Sequence, residues 1–348
     1  MNSRTLLLAA LGLSGLLAAA APLGAESIIQ RTPVTTIDLG VQEPLRKTPV
    51  VSSVALSPTG RQMATAGDDH LVRIWDLQQG SVLRQLVGHG DWVRAVAFSP
   101  DGQRLATAGD DRRVRLWDIA TGAALHSIAT PRTVTQTLAF SPDGRLLAAG
   151  GFGPEVVLVR TSDGQIDRKL SAPGNDVRVL TFSPDGQQLA AAGREGAIRI
   201  WNTQQTRQKS LDLVGHRRRV RALVYSPDGA QLASGGDERE IRLWSTTTGR
   251  QLTAIPMRHG KLLTLAFCSP DFLASGGSDN TVRVWNLPEA CEAFSLQAHT
   301  GSVTALVWNR EAQTLLSGSF DTTVRVWGLN LDAIDRVSQQ NTREIIGK

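Results

Sequence analysis

The chain has 348 residues, a formal net charge of +5 and a hydrophobic fraction of 41%. That composition allows a substantial core, in one large domain or two ordinary ones. Its basic residues are spread along the sequence, and the longest basic run, Arg217–Arg219, has only three members. This spread excludes a basic nucleic-acid-binding arm, so we expect no nucleic-acid partner, and the net charge favours acidic partners only weakly.

The first 25 residues have the pattern of a secretory signal peptide. Arg4 supplies a positive charge, Leu6–Ala20 supplies an apolar segment, and small residues lead to a predicted cleavage site after Ala25. An uncleaved membrane anchor is the alternative, although the apolar segment is short for a span, which needs about 20 residues. We therefore predict an exported protein, periplasmic or extracellular, with residues 1–25 as the signal peptide and residues 26–33 as a linker.

A strand centred on tryptophan then recurs along the chain at intervals of 41 to 43 residues. Its central positions are Trp75, Trp117, Val159, Trp201, Trp244, Trp285 and Trp327, so one copy has valine in place of tryptophan. Between successive copies lie short apolar runs, bounded by Gly, Pro, Asp or Ser in turns such as Ser99–Gly102. This pattern predicts four antiparallel strands per repeat and leaves no room for a helix.

The Gly-His, Ser-Pro-Asp-Gly and Trp-Asp signals follow one another in a fixed order, as at His89, Ser99–Gly102 and Trp117. In this order and period the chain resembles WD40-repeat proteins over residues 34–330. The resemblance implies an all-β fold, a seven-bladed WD40 β-propeller. Each tryptophan strand is the third of its blade, so the last repeat lacks a fourth strand. We predict that Val34–Leu39 supplies it and closes the last blade, and that residues 331–348 form a C-terminal tail.

Histidine, serine or threonine, an acidic residue and tryptophan recur together in four repeats. In WD40 proteins these groups form a hydrogen-bonded relay within each blade, so the resemblance implies a structural role. An active site is normally made once, and several copies of one arrangement therefore argue against a catalytic triad. The four predicted sets are His89, Thr107, Asp111 and Trp117; His216, Ser234, Glu238 and Trp244; His259, Ser275, Asp279 and Trp285; and His299, Ser317, Asp321 and Trp327.

Two other residue types receive structural interpretations. An arginine stands two residues before most of the tryptophans, as at Arg115 and Arg283, and we interpret it as a solvated or blade-edge position. Cys268 and Cys291 fall on the first and last strands of one predicted blade. Those strands are three spacings of about 4.8 Å apart, which is beyond disulfide reach. We expect two small buried thiols, with a disulfide as the alternative.

Residues that differ between repeats carry the functional prediction. In WD40 proteins, the end of the channel where the Gly-His loops lie commonly binds peptides, through first-strand and loop positions. Arginines and loop aromatics gather at these positions in this chain, and both are frequent interface anchors. The candidate partner-binding residues are Trp92, Arg94, Phe152, Arg178, Arg194, Arg219, Arg221 and Phe320.

We therefore predict a non-enzymatic interaction scaffold that binds a protein or peptide, with an acidic segment as the favoured ligand. A weakly charged solvated rim is the alternative for this face. We predict no catalytic residues, metal ligands or cofactors, because no Gly-rich phosphate loop or metal-spaced Cys/His set remains outside the repeats. The alternative function is an exported enzyme or a small-ligand-binding propeller that uses the channel mouth. Any membrane contact is expected only through an uncleaved signal, and the oligomeric state stays open.

Overall fold

The computed structural model describes residues 35–38, 51–130, 134–205, 210–329 and 331. These residues form 28 β-strands in seven four-stranded sheets. The all-β fold is the predicted seven-bladed β-propeller. The predicted signal peptide and linker, and all but the first residue of the predicted tail, lie outside the described residues.

Blades 1 to 6 each consist of four strands that follow one another along the chain and pair in that order. Blade 1 consists of β2 Val51–Leu56, β3 Gln62–Gly67, β4 Val72–Asp76 and β5 Ser81–Leu86. Blade 2 consists of β6 Val93–Phe98, β7 Arg104–Gly109, β8 Arg113–Asp118 and β9 Ala124–Ala129. Blade 3 consists of β10 Val134–Phe140, β11 Leu146–Phe152, β12 Glu155–Arg160 and β13 Ile166–Ser171. Blade 4 consists of β14 Val177–Phe182, β15 Gln188–Gly193, β16 Ile198–Asn202 and β17 Ser210–Leu213. Blade 5 consists of β18 Val220–Tyr225, β19 Gln231–Gly236, β20 Glu240–Ser245 and β21 Gln251–Pro256. Blade 6 consists of β22 Leu262–Phe267, β23 Phe272–Gly277, β24 Thr281–Asn286 and β25 Cys291–Gln297.

Blade 7 is assembled from both ends of the described chain. Its strands are β26 Val303–Asn309, β27 Thr314–Ser319, β28 Thr323–Gly328 and the N-terminal β1 Thr35–Asp38. The outer strand β1 pairs antiparallel with β28, with Thr35 opposite Val326 and Asp38 opposite Thr323. The prediction that an N-terminal strand closes the last blade is confirmed.

The first strands of the seven blades contact one another in a closed circle, from β2 through β6, β10, β14, β18 and β22 to β26 and back to β2. They surround the central channel, and the blades extend outward from them. The turns between the second and third strands lie at the same end as the connections between blades. We call this end the histidine face, because the loops that carry His89, His216 and His299 lie there.

Apolar side chains fill the spaces between neighbouring blades. Trp117 of blade 2 is 3% exposed and lies in one core cluster with Ala64, Ile74 and Leu86 of blade 1. Burial of a tryptophan removes roughly 150–250 Å² from water, which contributes about 4–6 kcal/mol at ~25 cal/mol/Å². In blade 3 the fully buried Val159 stands at the tryptophan position, in a cluster with residues of blade 2.

The Ser-Pro-Asp-Gly turns follow from their residue types. In blade 2, Ser99 Oγ donates to Asp101 Oδ1, and the amide of Gln103 donates to the same oxygen at 2.9 Å. Gly102 has a φ of 69°, a left-handed conformation that glycine adopts without side-chain strain. The turn joins the first and second strands at the end opposite the histidine face.

Each first strand contains a bulge near its start, where the register with the second strand skips one residue. The skipped residues are Ser52, Arg94, Gln136, Arg178, Arg221, Leu263 and Thr304. The two backbones approach closely beside the bulge: in blade 2, a Cβ on Gly109 would lie 1.9 Å from the carbonyl oxygen of Trp92. In blade 2 glycine therefore permits this approach, whereas Ser319 holds the corresponding position in blade 7, and in each blade the skipped residue takes no part in the ladder.

Neither cysteine forms a disulfide. Cys268 is buried, and burial raises the pKa of its thiol to about 12. Cys291 is exposed, so the expectation of two buried thiols is wrong for this residue. Its strand, β25, is the outer strand of blade 6, which has a pairing neighbour on one side only, and the first three residues of β25 are all exposed.

Candidate functional site

Among the residues that the structure describes, three blades contain the complete hydrogen-bonded relay. In blade 7, His299 Nδ1 lies 2.9 Å from Asp321 Oδ2, and His299 Nε2 lies 2.8 Å from Ser317 Oγ. Trp327 Nε1 donates to the same hydroxyl oxygen at 2.8 Å. The equivalent sets are His89, Asp111, Thr107 and Trp117 in blade 2, and His216, Glu238, Ser234 and Trp244 in blade 5.

The chemistry of the partners fixes the direction of these bonds. The ionised carboxylate of Asp321 can only accept, so the proton of the neutral His299 ring lies on Nδ1 and is donated to Asp321. His299 Nε2 then accepts from Ser317 Oγ, and the same hydroxyl oxygen accepts from the indole of Trp327, which can only donate. The chain of bonds ties the second and third strands to the loop before the first strand, and it satisfies polar atoms that would otherwise be buried without partners.

In four blades an arginine pairs with the carboxylate of the turn, so the interpretation of these arginines as solvated or blade-edge positions is wrong for these four. In blade 2, Arg115 Nη1 donates to Asp111 Oδ2 at 2.6 Å, and only 11% of the Arg115 side chain is exposed. The reason is reach, because the long arginine side chain extends to the carboxylate in the turn four residues earlier. The corresponding pairs are Arg73 with Asp69, Arg242 with Glu238, and Arg283 with Asp279.

The relay predicted for blade 6 does not include His259, so this assignment is wrong. Trp285 Nε1 donates to Ser275 Oγ at 2.8 Å, but His259 is exposed and has no hydrogen bond within the described part of the chain. The histidines of the complete relays stand 28 residues before their tryptophans, whereas His259 stands 26 residues before Trp285. Met257 has the 28-residue spacing and is 6% exposed. A buried thioether therefore takes the place of the imidazole, and the Asp279 carboxylate pairs with arginine alone.

The relay histidines are held neutral by their surroundings. Burial lowers the pKa of His89, His216 and His299 below the usual 6.5, although the neighbouring carboxylates oppose this effect. Burial would by itself raise the pKa of Asp321, but hydrogen bonds, first from the Thr323 hydroxyl, outweigh it and lower the pKa to about 2. The relay thus joins neutral imidazoles to ionised carboxylates.

We expect the protein to lose stability as the pH falls below the usual pKa of histidine. Unfolded histidines titrate near 6.5, whereas the folded relay histidines titrate lower, so below about 6.5 the unfolded state binds more protons and is favoured. Thermal melts at a series of pH values measure this loss. The variant His299→Met, which copies blade 6, should melt at a lower temperature but with a shallower dependence on pH. An equal slope for variant and wild type would contradict the assignment.

Three of the residues skipped by the bulges form hydrogen bonds between neighbouring blades at the mouth of the channel on the histidine face. Ser52 Oγ donates to the backbone carbonyl of Val93 in the next blade. Arg178 Nη1 donates to Gln136 Oε1 of the preceding blade at 3.1 Å. Because these residues stand outside the ladder, their identity varies between blades while the strand pairing stays the same.

Three of the predicted partner-binding arginines at the mouth are paired with carboxylates. The pairs are Arg94 with Asp110, Arg178 with Asp176, and Arg221 with Asp237. Burial would raise the pKa of Asp237, but the hydrogen bond from Arg221 and nearby positive charges hold that pKa below its usual value. The carboxylate is therefore ionised, and it offsets the charge that Arg221 could offer a partner.

Two of these paired arginines also stack on aromatic rings. The guanidinium carbon of Arg94 lies 4.3 Å from the centroid of a Trp92 ring, and that of Arg178 lies 4.7 Å from the centroid of Phe152. Such cation–π contacts favour one orientation of each ring. The rings remain available to a partner, because Trp92 is 36% and Phe152 45% exposed. Phe320 stands at the position of Phe152 in blade 7 and is 52% exposed.

A group of cations without ion-pair partners lies between blades 5 and 6 on the histidine face. Arg217, Arg218, Arg239 and Lys261 line an open cavity of about 720 Å³, and all four are exposed. None of them forms a contact ion pair with a residue that the structure describes, although Lys261 lies near enough to Asp237 to help lower its pKa. We call these four residues the basic groove. The carboxylates that share the lining are already engaged, Asp237 with Arg221 and both Glu238 and Glu240 with Arg242.

The basic groove is not among the sequence-predicted sites, because its cations come from three separate loops. The basic run Arg217–Arg219 was the available signal in the sequence. Of the other predicted anchors, Arg194 is exposed and has no ion pair within the described ranges. Arg219 is half-buried, and its Nε has no hydrogen-bond partner among the described residues.

Two further observations concern the described residues only. Within them, no group of three or more His, Cys, Asp or Glu side chains is placed to hold a metal ion. The same residues contain no helix that is long and apolar enough to cross a membrane.

Comparisons with known proteins agree with this architecture. A family model described as the IFT122 first beta-propeller matches residues 50–223, which is half of the chain. The model of the WD domain, G-beta repeat, matches residues 207–245, 257–286 and 291–328. A segment of 43 residues is 46% identical to the probable serine/threonine-protein kinase PkwA of Thermomonospora curvata, and it covers 12% of this chain and only 6% of that protein. The chain therefore belongs to the WD40-repeat β-propeller family.

Proposed function

We propose that this protein is a non-enzymatic interaction scaffold that binds an acidic segment of a partner protein on the histidine face. WD40 propellers commonly bind proteins. The observation that carries the proposal is the basic groove, four exposed cations without ion-pair partners in the described structure. An acidic segment adds counter-charge to these residues, because the carboxylates that share the lining are already paired with Arg221 and Arg242.

The electrostatics of the face favour the groove over the channel mouth as the place for the negative charge. Arginines at the mouth are offset by Asp110, Asp176 and Asp237. The cations of the groove repel one another, and a bound carboxylate relieves that repulsion while steering the partner during association. Because these charges are exposed, we expect the binding to weaken as salt is added.

The state of Asp237 argues against a general acid at this position of the mouth. A general acid needs a carboxyl group whose pKa is raised toward neutrality. The pKa of Asp237 moves downward instead, because the effect of burial is outweighed by its bond to Arg221. A paired, ionised carboxylate of this kind stabilises the mouth and is a poor proton donor.

The test is a binding measurement with a labelled peptide of consecutive glutamates, followed by fluorescence anisotropy at low and high salt. Replacing Arg217 and Arg218 by glutamate should weaken binding at least tenfold, a change of about 1.4 kcal/mol or more. The matched control reverses Arg250 and Arg310, two exposed arginines in turns at the opposite end of the blades. Equal losses in the two double variants, or no loss in either, would reject the histidine face as the acidic-segment site.

A further inference from the structure

Along an arc of the histidine face from blade 6 to blade 3, the exposed side chains change from cationic to aromatic. The basic groove lies at blades 5 and 6, Arg194 follows in blade 4, and the exposed ring of Phe152 follows in blade 3. We propose that the partner segment is bipartite, with an acidic run in the groove and an apolar residue seated on Phe152. This inference rests on the proposed function and adds the second half of the ligand.

The two halves of the arc are joined by the backbone. Phe152, at the end of β11, forms an isolated antiparallel bridge with Asp176, just before β14. The turn of blade 3 is thereby attached to the loop that enters blade 4. The next turn of blade 4 on the same face carries Arg194. A single extended segment can thus contact an aromatic ring and a row of cations without crossing the channel.

Phe152 is held as a platform rather than left as a free side chain. Arg178 covers one side of its ring at 4.7 Å, and Arg178 is itself bound to Asp176 and to Gln136. The ring therefore loses little conformational freedom when a partner binds, which lowers the entropic cost of the contact. The pair formed by Trp92 and Arg94 repeats this construction in blade 2.

An apolar residue fits this end of the arc better than a further carboxylate. The charge of Arg178 is already offset by Asp176, so a carboxylate arriving there would meet a nearby negative charge and be desolvated without a free partner. An apolar side chain instead removes exposed aromatic surface from water, at about 25 cal/mol per Å². The ligand preference should change from acidic to apolar between Arg194 and Phe152.

The experiment uses the full chain and labelled peptides in which a run of glutamates is followed by glycine spacers of different lengths and then by phenylalanine. Matched peptides end in alanine. At the best spacer length, the phenylalanine peptide should bind at least fivefold more tightly than the alanine peptide. The variant Phe152→Ala should remove this advantage and leave the affinity for the alanine peptide unchanged. The side chain is 45% exposed, so the fold should be kept, and a thermal melt checks this.

Leu252→Ala is the matched control, because Leu252 is a similarly exposed apolar side chain, at 52%, near the start of β21 at the end opposite the histidine face. This variant should keep the full advantage of the phenylalanine peptide. No advantage at any spacer length, or equal effects of Phe152→Ala and Leu252→Ala, would overturn the bipartite ligand.

The outcomes separate this inference from the proposed function. If reversal of Arg217 and Arg218 abolishes binding while phenylalanine gives no advantage, the acidic site stands and the apolar half is wrong. If the reversal has no effect, both are wrong. A single-stranded oligonucleotide that binds as tightly as the phenylalanine peptide, through the groove alone, would show unspecific attraction of anions and would also overturn the bipartite ligand.

Discussion

Deletion of Thr35–Asp38 is expected to lower the melting temperature by roughly 5–10 °C. The deletion removes the outer strand of blade 7, whose four residues pair with β28. At about 1 kcal/mol for each lost backbone hydrogen bond, the loss is a few kcal/mol, and each kcal/mol shifts the melting temperature of a large domain by about 2 °C. The exposed edge of β28 should also make the variant prone to aggregation.

Differential scanning calorimetry of the deletion variant measures this effect. Thr36→Ser is the matched control, since the Thr36 side chain is exposed and its backbone pairing with Arg325 would be kept. A synthetic peptide of residues 34–40, added in excess, should restore part of the lost stability by occupying the open edge. An unchanged melt in the deletion variant would show that the ring does not depend on this strand.

The relay predicts unequal effects for two chemically identical substitutions. Ser317→Ala leaves both His299 Nε2 and Trp327 Nε1 buried without their partner, and each such atom costs about 1–3 kcal/mol. Ser275→Ala leaves only Trp285 Nε1 without its partner, because Met257 stands where blade 6 would need its histidine. The free energy of unfolding should therefore fall by roughly 1–2 kcal/mol more in Ser317→Ala than in Ser275→Ala.

Denaturant unfolding of the two variants measures the difference. Both serines are buried, at 0% and 1% exposure, so the lost volume and burial are matched. In the double variant Ser317→Ala with His299→Met, the two losses should be less than additive, since they remove one shared bond. Equal destabilisation by the two alanine substitutions would mean that His299 contributes nothing through its bond to Ser317.

The fold was predictable because its signals repeat. A tryptophan strand at a nearly constant interval and a turn such as Ser99–Gly102 each occur several times. The number of blades could therefore be predicted even though one repeat has Val159 in place of tryptophan. The closing strand followed from the same register. His259 shows the limit of reading motifs without their spacing, because a histidine two residues out of place lies in an exposed loop while Met257 fills the buried position.

The candidate site was less predictable, because charge on a face depends on which side chains meet. The sequence places Arg94, Arg178 and Arg221 on the histidine face, but it does not show that each is bound to a carboxylate. Arg94 and Asp110 stand 16 residues apart and meet only because β6 and β7 are paired. The basic groove likewise forms from loops that are distant in the sequence and adjacent in space.

Because every first strand has a bulge, the skipped side chain at the channel mouth can differ between blades while the strands still pair in the same way. Ser52, Leu263 and Thr304 occupy the same skipped position as the arginines, with the same ladder on either side. The ladder places no demand on the side chain at these positions, so an exchange there keeps the strand pairing intact. The ring therefore offers seven exchangeable sites around one opening, a ready-made template for a combinatorial library in which new ligands are selected without redesign of the scaffold.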